Sequence, residues 1–157
     1  MSAGDLPEVG LRLLDGRLTG WGFPRWGSAA AAGLDLHACL DGHLTLDPGA
    51  PAALIPAGFA VLIREPGWCG LVFPRSGRGH RDGLILGNGT GVIDADYEGP
   101  LMISAWNRAA IPVRIEPGER IAQLVFTRVA RPSLTVLDGD EVPGSGRGHG
   151  GFGSSGR

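Results

Sequence analysis

The sequence predicts an all-β domain, and three observations carry that expectation. The chain holds 28 Gly and 12 Pro among 157 residues, its turn signals recur at about ten-residue spacing, and the runs between them are short and often alternate apolar with polar residues. Such a composition favours short strands over long helices. A chain of this length is expected to form one domain and to bury roughly 70% of the surface its unfolded form exposes, so no disulfide or metal is required to hold it.

The elements follow in order. Val9, Leu11 and Leu13 alternate and predict a half-buried strand ending at Asp15-Gly16, and the Gly-, Trp- and Pro-rich residues 19–27 predict an irregular connection. Residues 28–40, SAAAAGLDLHACL, carry two conflicting signals: four Ala favour helix, whereas Gly33 and the alternation Leu34, Leu36, Ala38 favour a strand. The strand is the expectation, with Asp35 and His37 on its opposite face. Residues 43–46 and 53–55 are short strands around the turn Asp47-Pro48-Gly49, and Pro56-Ala57-Gly58 is a further turn leading into a strand over 59–63. Residues 70–73 form a strand that stops at PRSG (Pro74 to Gly77), and the polar residues 77–83 fit one short helical turn. Residues 101–107 and 111–115 are strands, Glu116-Pro117-Gly118-Glu119 is a turn, RIAQLVF (120–126) is a buried strand, and 133–137 is a last strand. Repeated turns of this kind suit a sandwich or jelly roll. The β-rich domain is placed at 1–143. The tail 144–157, GSGRGHGGFGSSGR, has seven Gly and cannot pack a core.

Charge and cysteine content exclude several functions. Formal net charge is -2, which gives no general basic field for nucleic acid, and all 14 basic residues are Arg. Without Lys there is neither a P-loop nor a Schiff base, so anions must be held by Arg, backbone N–H groups and hydroxyls. Gly148, Gly150 and Gly153 match Gly-x-Gly-x-x-Gly, but no strand precedes them and no helix follows, so the dinucleotide reading fails. Cys39 and Cys69 are far apart, the four His make no metal-ligand pair, and isolated Cys are usually buried small hydrophobes. No signal-like N-terminus and no apolar run near 18 residues is present, so a soluble, cytoplasmic protein without membrane contact is expected.

The stretch 87–101, GNGTGVIDADYEGPL, concentrates the chemistry. It opens on a Gly/Asn turn, passes through a β-prone segment and closes on Glu98-Gly99-Pro100, which predicts a hairpin. Asp94, Asp96 and Tyr97 put two carboxylates and a ring beside a backbone that a flat ligand can approach closely. Asp, Asn and Gly are also ordinary turn residues. Arg75-Ser76-Gly77 offers a guanidinium fork, a hydroxyl and a backbone N–H within three residues, and Gln123 is a polar amide inside an apolar strand.

Taken in order, AGLDL (Ala32 to Leu36), PRSG, GNGTGVIDADYEGPL, RIAQLVF and RGHGGFGSSG (Arg147 to Gly156) resemble the five motifs of the trimeric dUTPases, and the resemblance covers nearly the full length. It implies a distorted jelly-roll-like β domain with a flexible Gly-rich C-terminal lid, assembled as a homotrimer whose three active sites are each built from all three subunits. The implied activity is Mg²⁺-assisted hydrolysis of dUTP to dUMP and pyrophosphate, which limits uracil in DNA and supplies dUMP for dTMP synthesis. Asn88 and the backbone from Gly89 through Gly91 to Val92 would pair with the uracil edge, Tyr97 would lie against the deoxyribose, and Met102 would be a further substrate contact. Asp94 would activate the attacking water. Arg75, Ser76, Gly77 and Gln123 would hold phosphates, and Asp35 would reach Mg²⁺ only through water. From the tail, Phe152 would stack on uracil while Arg147, Gly153, Ser154 and Ser155 close on the phosphates.

Two features depart from a simple transfer. A strictly alternating strand would put Asp94 and Tyr97 on opposite faces, so a bulge or contacts with different edges of the ligand are required. Arg78 stands where the family usually carries an apolar residue. Two rival readings remain. The related dCTP deaminases need a Glu in the strand where this chain has Ser104, and a nucleic-acid-binding role for the Arg/Gly/Phe tail has only two Arg behind it, so no stable nucleic-acid binding is expected.

Overall fold

The computed structural model describes residues 6–137. The expected domain boundary after residue 143 and the lid residues Arg147, Phe152, Gly153, Ser154 and Ser155 lie outside them. Within them the chain is an all-β, jelly-roll-like sandwich. Strands β1 (Gly10–Leu13), β4 (Ala53–Leu62), β8 (Pro100–Asn107) and β6 (Leu84–Leu86) make one antiparallel sheet in that order. Strands β2 (Leu34–His37), β10 (Arg120–Arg128), β5 (Trp68–Pro74) and β7 (Gly91–Ile93) make the second, and β3 (Leu44–Leu46) pairs with β9 (Val113–Ile115). Two short helices, α1 (Arg17–Gly20) and α2 (Ser76–Arg81), sit in connections.

Period-two patterning explains how the sheets face each other. Along β8 Leu101, Ile103 and Ala105 turn inward, while Met102 and Trp106 stay exposed. They meet Leu34 and Leu36 of β2, Val72 of β5 and Leu124 of β10 in one continuous core, in which the wholly buried Phe59 lies 4.5 Å from the Phe23 ring. Burial of each such side chain contributes about 1.5–3 kcal/mol. At the end of β8 the buried Asn107 donates to the carbonyls of Leu46 and Ile111 and accepts from the Ala109 N–H, all at 2.8 Å, which ties three segments together.

Residues 34–37 are the expected strand and not a helix, but both of its faces are buried, Asp35 and His37 included. The residues 77–83 supply most of α2, as the short helical turn required. Four expectations need correction. Pro56-Ala57-Gly58 is not a turn: β4 runs straight through it as an irregularity, because Pro56 pairs with Met102 and Ala60 with Pro100, and Gly58 takes φ 81°. The expected strand 53–55 does not stop there but runs on as β4 through residue 62, and the strands flanking Asp47-Pro48-Gly49 pair elsewhere, β3 with β9 and β4 with β1 and β8. The stretch 87–101 is no hairpin either, since β7 joins β5 in one sheet and β8 joins β4 and β6 in the other. Residues 133–137 form no strand and are exposed, Leu134 and Val136 to about nine-tenths. Alternation alone does not supply the partner that a strand needs.

Candidate active site

Strand β7 ends at Ile93, and the Tyr97 N–H donates to the Asp94 carbonyl at 3.2 Å, closing a turn. That turn removes the alternation conflict: Asp94 and Tyr97 border the same shallow cavity of about 190 Å³ together with Val92, Ile93, Pro100 and Met102. Val92, Tyr97 and Met102 are 61%, 43% and 38% exposed, an apolar shelf of the kind a flat ligand covers. Tyr97 is fixed by its hydroxyl, which donates to the Pro100 carbonyl at 2.9 Å, and by Gly99, where a Cβ would stand 2.5 Å from that hydroxyl and 2.7 Å from Cζ. Only glycine leaves the ring its place.

The loop is held from the other side by arginines. Arg64, at φ 57°, donates its N–H to the Ala95 carbonyl at 2.9 Å and its guanidinium to Glu98 at 3.1 Å, while Arg12 donates to the Glu98 carbonyl at 2.7 Å. Asn88 lies exposed in the turn before β7, and a Cβ on Gly91 would come within 3.1 Å of Val72 and 3.7 Å of the Asn88 amide. Asp94 and Val92 also border a second cavity of about 470 Å³ on the side of Trp68, Cys69 and Arg131. Both thiols are free and buried; burial pushes Cys39 up to about 11, and burial, then the charge of Asp94, pushes Cys69 up, so neither is a nucleophile at neutral pH.

A different cavity, of about 450 Å³, gathers the anion-binding groups: Arg75, Ser76, Gly77, Arg78, Arg81 and Arg120 line it with Gly118 and Glu119. Ser76 and Gly77 are exposed at the start of α2, whereas Arg75 is anchored below it. Asp35, only 5% exposed, accepts from Arg120 Nη1 at 2.8 Å and forms an ion pair with Arg75 Nε at 3.1 Å. Arg78 pairs with the carboxylates of Asp82 and Glu119 at 2.9 Å each and donates to the Arg114 carbonyl at 2.9 Å. Gln123 lines neither cavity; its amide donates to the Pro74 carbonyl at 3.0 Å, and a Cβ on Gly33 would press to 2.5 Å from its Oε1. Buried next to this group, His37 packs against Trp21 and Phe23, its Nδ1 lacks a partner, and burial lowers its pKa, with Asp35 opposing that shift and Arg120, Arg25 and Arg75 adding to it.

The structure does not bring the two cavities together. Ladder pairing sets Ile93 opposite Gly70, so Asp94 falls near Cys69, and Arg75 lies six positions farther along β5. Because Arg75 remains extended (φ -78°, ψ 133°), the backbone separation is about 20 Å at ~3.3 Å per residue. Sequence reasoning proposed Arg75 and Asp94 as site residues, noted Arg78 only as a departure from the family pattern and gave Arg120 no role. Three arginines within seven residues, Arg75, Arg78 and Arg81, were the available signal in a Lys-free chain, and Arg120 is far from them in sequence.

Fold and geometry together define a class: an all-β protein offering two separate half-sites, one suited to an anion and one to a small flat ligand. Comparison with known proteins makes this particular. The dUTPase family model matches residues 20–156. The deoxyuridine 5'-triphosphate nucleotidohydrolase of Xanthomonas campestris pv. campestris (strain B100) is 52% identical over 147 residues, covering 93% of this chain and 95% of the relative. That of Tolumonas auensis is 48% identical over 153 residues, covering 97% and 99%. Among solved structures, the Staphylococcus bacteriophage 80alpha dUTPase with dUPNHPP superposes with a TM-score of 0.81 at 30% identity, over 96% of this chain and 99% of that one. A phage phi11 dUTPase mutant described with a structural Mg(II) ion gives 0.71 at 27% identity, over 86% and 99%. The chain belongs to the dUTPase family of deoxyuridine triphosphate nucleotidohydrolases.

Proposed function

We propose that the chain hydrolyses dUTP to dUMP and pyrophosphate as a homotrimer in which every active site combines different copies. One observation carries this reading: the water-activating carboxylate and the phosphate-binding arginine lie about 20 Å apart within one chain, at opposite ends of β5. A general base must come within hydrogen-bond reach, directly or through one water, of the reacting centre. Asp94 of one copy therefore serves the triphosphate held by Arg75, Ser76, Gly77 and Gln123 of a neighbour. Closed cyclic symmetry supplies such a contact three times over without leaving an open chain of subunits.

In each site uracil lies on the shelf of Val92 and Met102, read by Asn88 and the main chain from Gly89 to Val92, and the Tyr97 ring fills the space that a 2′-hydroxyl would need. Asp94 accepts a proton from water as its oxygen attacks the α-phosphorus; the bond from that phosphorus to the β-phosphate bridging oxygen breaks, and pyrophosphate leaves. The arginines hold the phosphate oxygens by charge-assisted hydrogen bonds. Among the described residues no three His, Cys, Asp or Glu side chains could hold a metal ion, a donor set that fits Mg²⁺ carried on phosphate and water oxygens. Asp35 keeps lone pairs for a water of that ion, and the ion would offset phosphate charge during the displacement. The tail residues Arg147, Phe152, Gly153, Ser154 and Ser155 close over the bound nucleotide.

Among the described residues no helix is long and apolar enough to cross a membrane. We place the enzyme in the cytoplasm, limiting uracil incorporation into DNA and supplying dUMP. Incubation with Mg²⁺ and dUTP, dCTP, dTTP or UTP in separate reactions tests the assignment. Pyrophosphate and dUMP from dUTP alone are expected; ammonia from dCTP would move the chain to the deaminase branch.

A further inference from the structure

Sequence spacing sets Arg120 apart from the phosphate-side residues. It lies three positions before Gln123, and along a regular strand an odd spacing puts two side chains on opposite faces. The ladder departs from that rule here. Gln123 pairs with Asp35 and Ala122 with Leu36, but Arg120 pairs with His37, so β10 carries Ile121 as an extra residue. The bulge sends Ile121 into the core and brings Arg120 to the side of β2 that Asp35 and His37 occupy.

The result is a closed ring of three residues. Arg120 Nη1 donates to Asp35 Oδ2 at 2.8 Å, Arg75 Nε contacts Asp35 Oδ1 at 3.1 Å, and Arg75 Nη1 donates to the Arg120 main-chain carbonyl at 3.2 Å. Arg120 thus holds Arg75 twice, by its own carbonyl and through the carboxylate that both guanidinia share. A fork fixed along two bonds loses less freedom when phosphate arrives than one that must be ordered at binding. One negative charge shared by two positive ones also leaves the ring net cationic, so Arg75 is anchored without being neutralised.

We propose that Arg120 is a positioning residue for the reaction, fixing the Arg75 fork in the geometry that receives the triphosphate. The proposal rests on the assignment of Arg75 as a phosphate contact. Because uniform binding is lost rather than transition-state stabilisation, Arg120→Met raises KM for dUTP about 10-fold with kcat within about 3-fold. Inhibition by pyrophosphate weakens in parallel, while inhibition by deoxyuridine, which uses only the shelf supplied by another copy, stays within about 2-fold.

A double-mutant cycle on the homotrimer separates positioning from direct contact. If Arg120 acts through Arg75, adding Arg120→Met to Arg75→Met changes the pyrophosphate inhibition constant by less than about 2-fold. An undiminished second loss would mean that Arg120 itself touches phosphate, which overturns the inference. Arg120→Lys, which keeps a charge beside Asp35 and the main-chain carbonyl, should restore part of the affinity and secures the test should the Met variant fold poorly. Equal weakening of pyrophosphate and deoxyuridine in both variants would reveal a merely structural role and also overturn it. Should Arg75→Met leave the dUTP KM unchanged, the underlying phosphate assignment fails; a silent Arg120→Met beside a damaging Arg75→Met sinks the positioning role alone.

Discussion

The two carboxylates on which the proposed site depends are built in opposite ways. Asp35 lies on the edge strand β2, 5% exposed, with a guanidinium on each oxygen. Asp94 follows the last residue of β7 in a turn, exposed, between two cavities. Burial of a charge is tolerated only with full pairing, and that pairing makes Asp35 an anchor for arginines. A carboxylate that must receive a proton from water cannot be tied up in that way. Under the proposed function, rigid pairing accompanies binding and an open turn accompanies chemistry supplied to another copy.

The largest effect is expected from the exposed partner. Asp94→Asn should retain dUTP affinity within about 3-fold and lose turnover by about 10²- to 10⁴-fold, checked by single-turnover kinetics beside equilibrium binding. Comparable losses in both would make Asp94 a binding group. Asp35→Asn attacks the anchor instead. It should lower unfolding free energy by about 1–2 kcal/mol in denaturant titration, a value reduced from that of a fully buried pair because both arginines are about a third exposed. Gly99→Ala should displace the Tyr97 ring and raise KM for dUTP by about 10-fold, with little change in melting temperature.

The smallest effect concerns pH. Folding lowers the His37 pKa, so below the ordinary value of 6.5 the unfolded chain binds a proton that the folded chain refuses. Stability from this group is complete above pH 6.5 and falls as the solution is acidified toward the folded pKa. Melting temperatures of the parent and His37→Leu between pH 5 and 8 should diverge in slope only on the acid side; parallel curves would remove His37 from the account.

Much of this comparison was legible in the sequence. Short alternating runs and turn residues revealed the all-β class, and the motif order proposed Arg75, Asp94, Tyr97 and Asp35 as site residues. What escaped were facts of pairing. The expected hairpin at 87–101 splits between two sheets, because Gly- and Asn-rich turns specify a reversal but not the partner of the next strand. Arg120 stayed hidden because one bulge residue, Ile121, inverts the facing that spacing predicts. The supposed turn at Pro56-Ala57-Gly58 is an irregularity that Gly58 makes feasible, and residues 133–137 alternate without any strand beside them.

Subunit complementation tests the central claim most directly. Asp94→Asn and Arg75→Ala homotrimers, each nearly inactive on dUTP, are unfolded together in equal amounts, refolded and assayed. If Asp94 and Arg75 reach each site from different copies, random trimers regain about a quarter of parental activity, the fraction of sites that receive both intact residues. A mixture no more active than its components would place both residues in one copy and contradict the shared site.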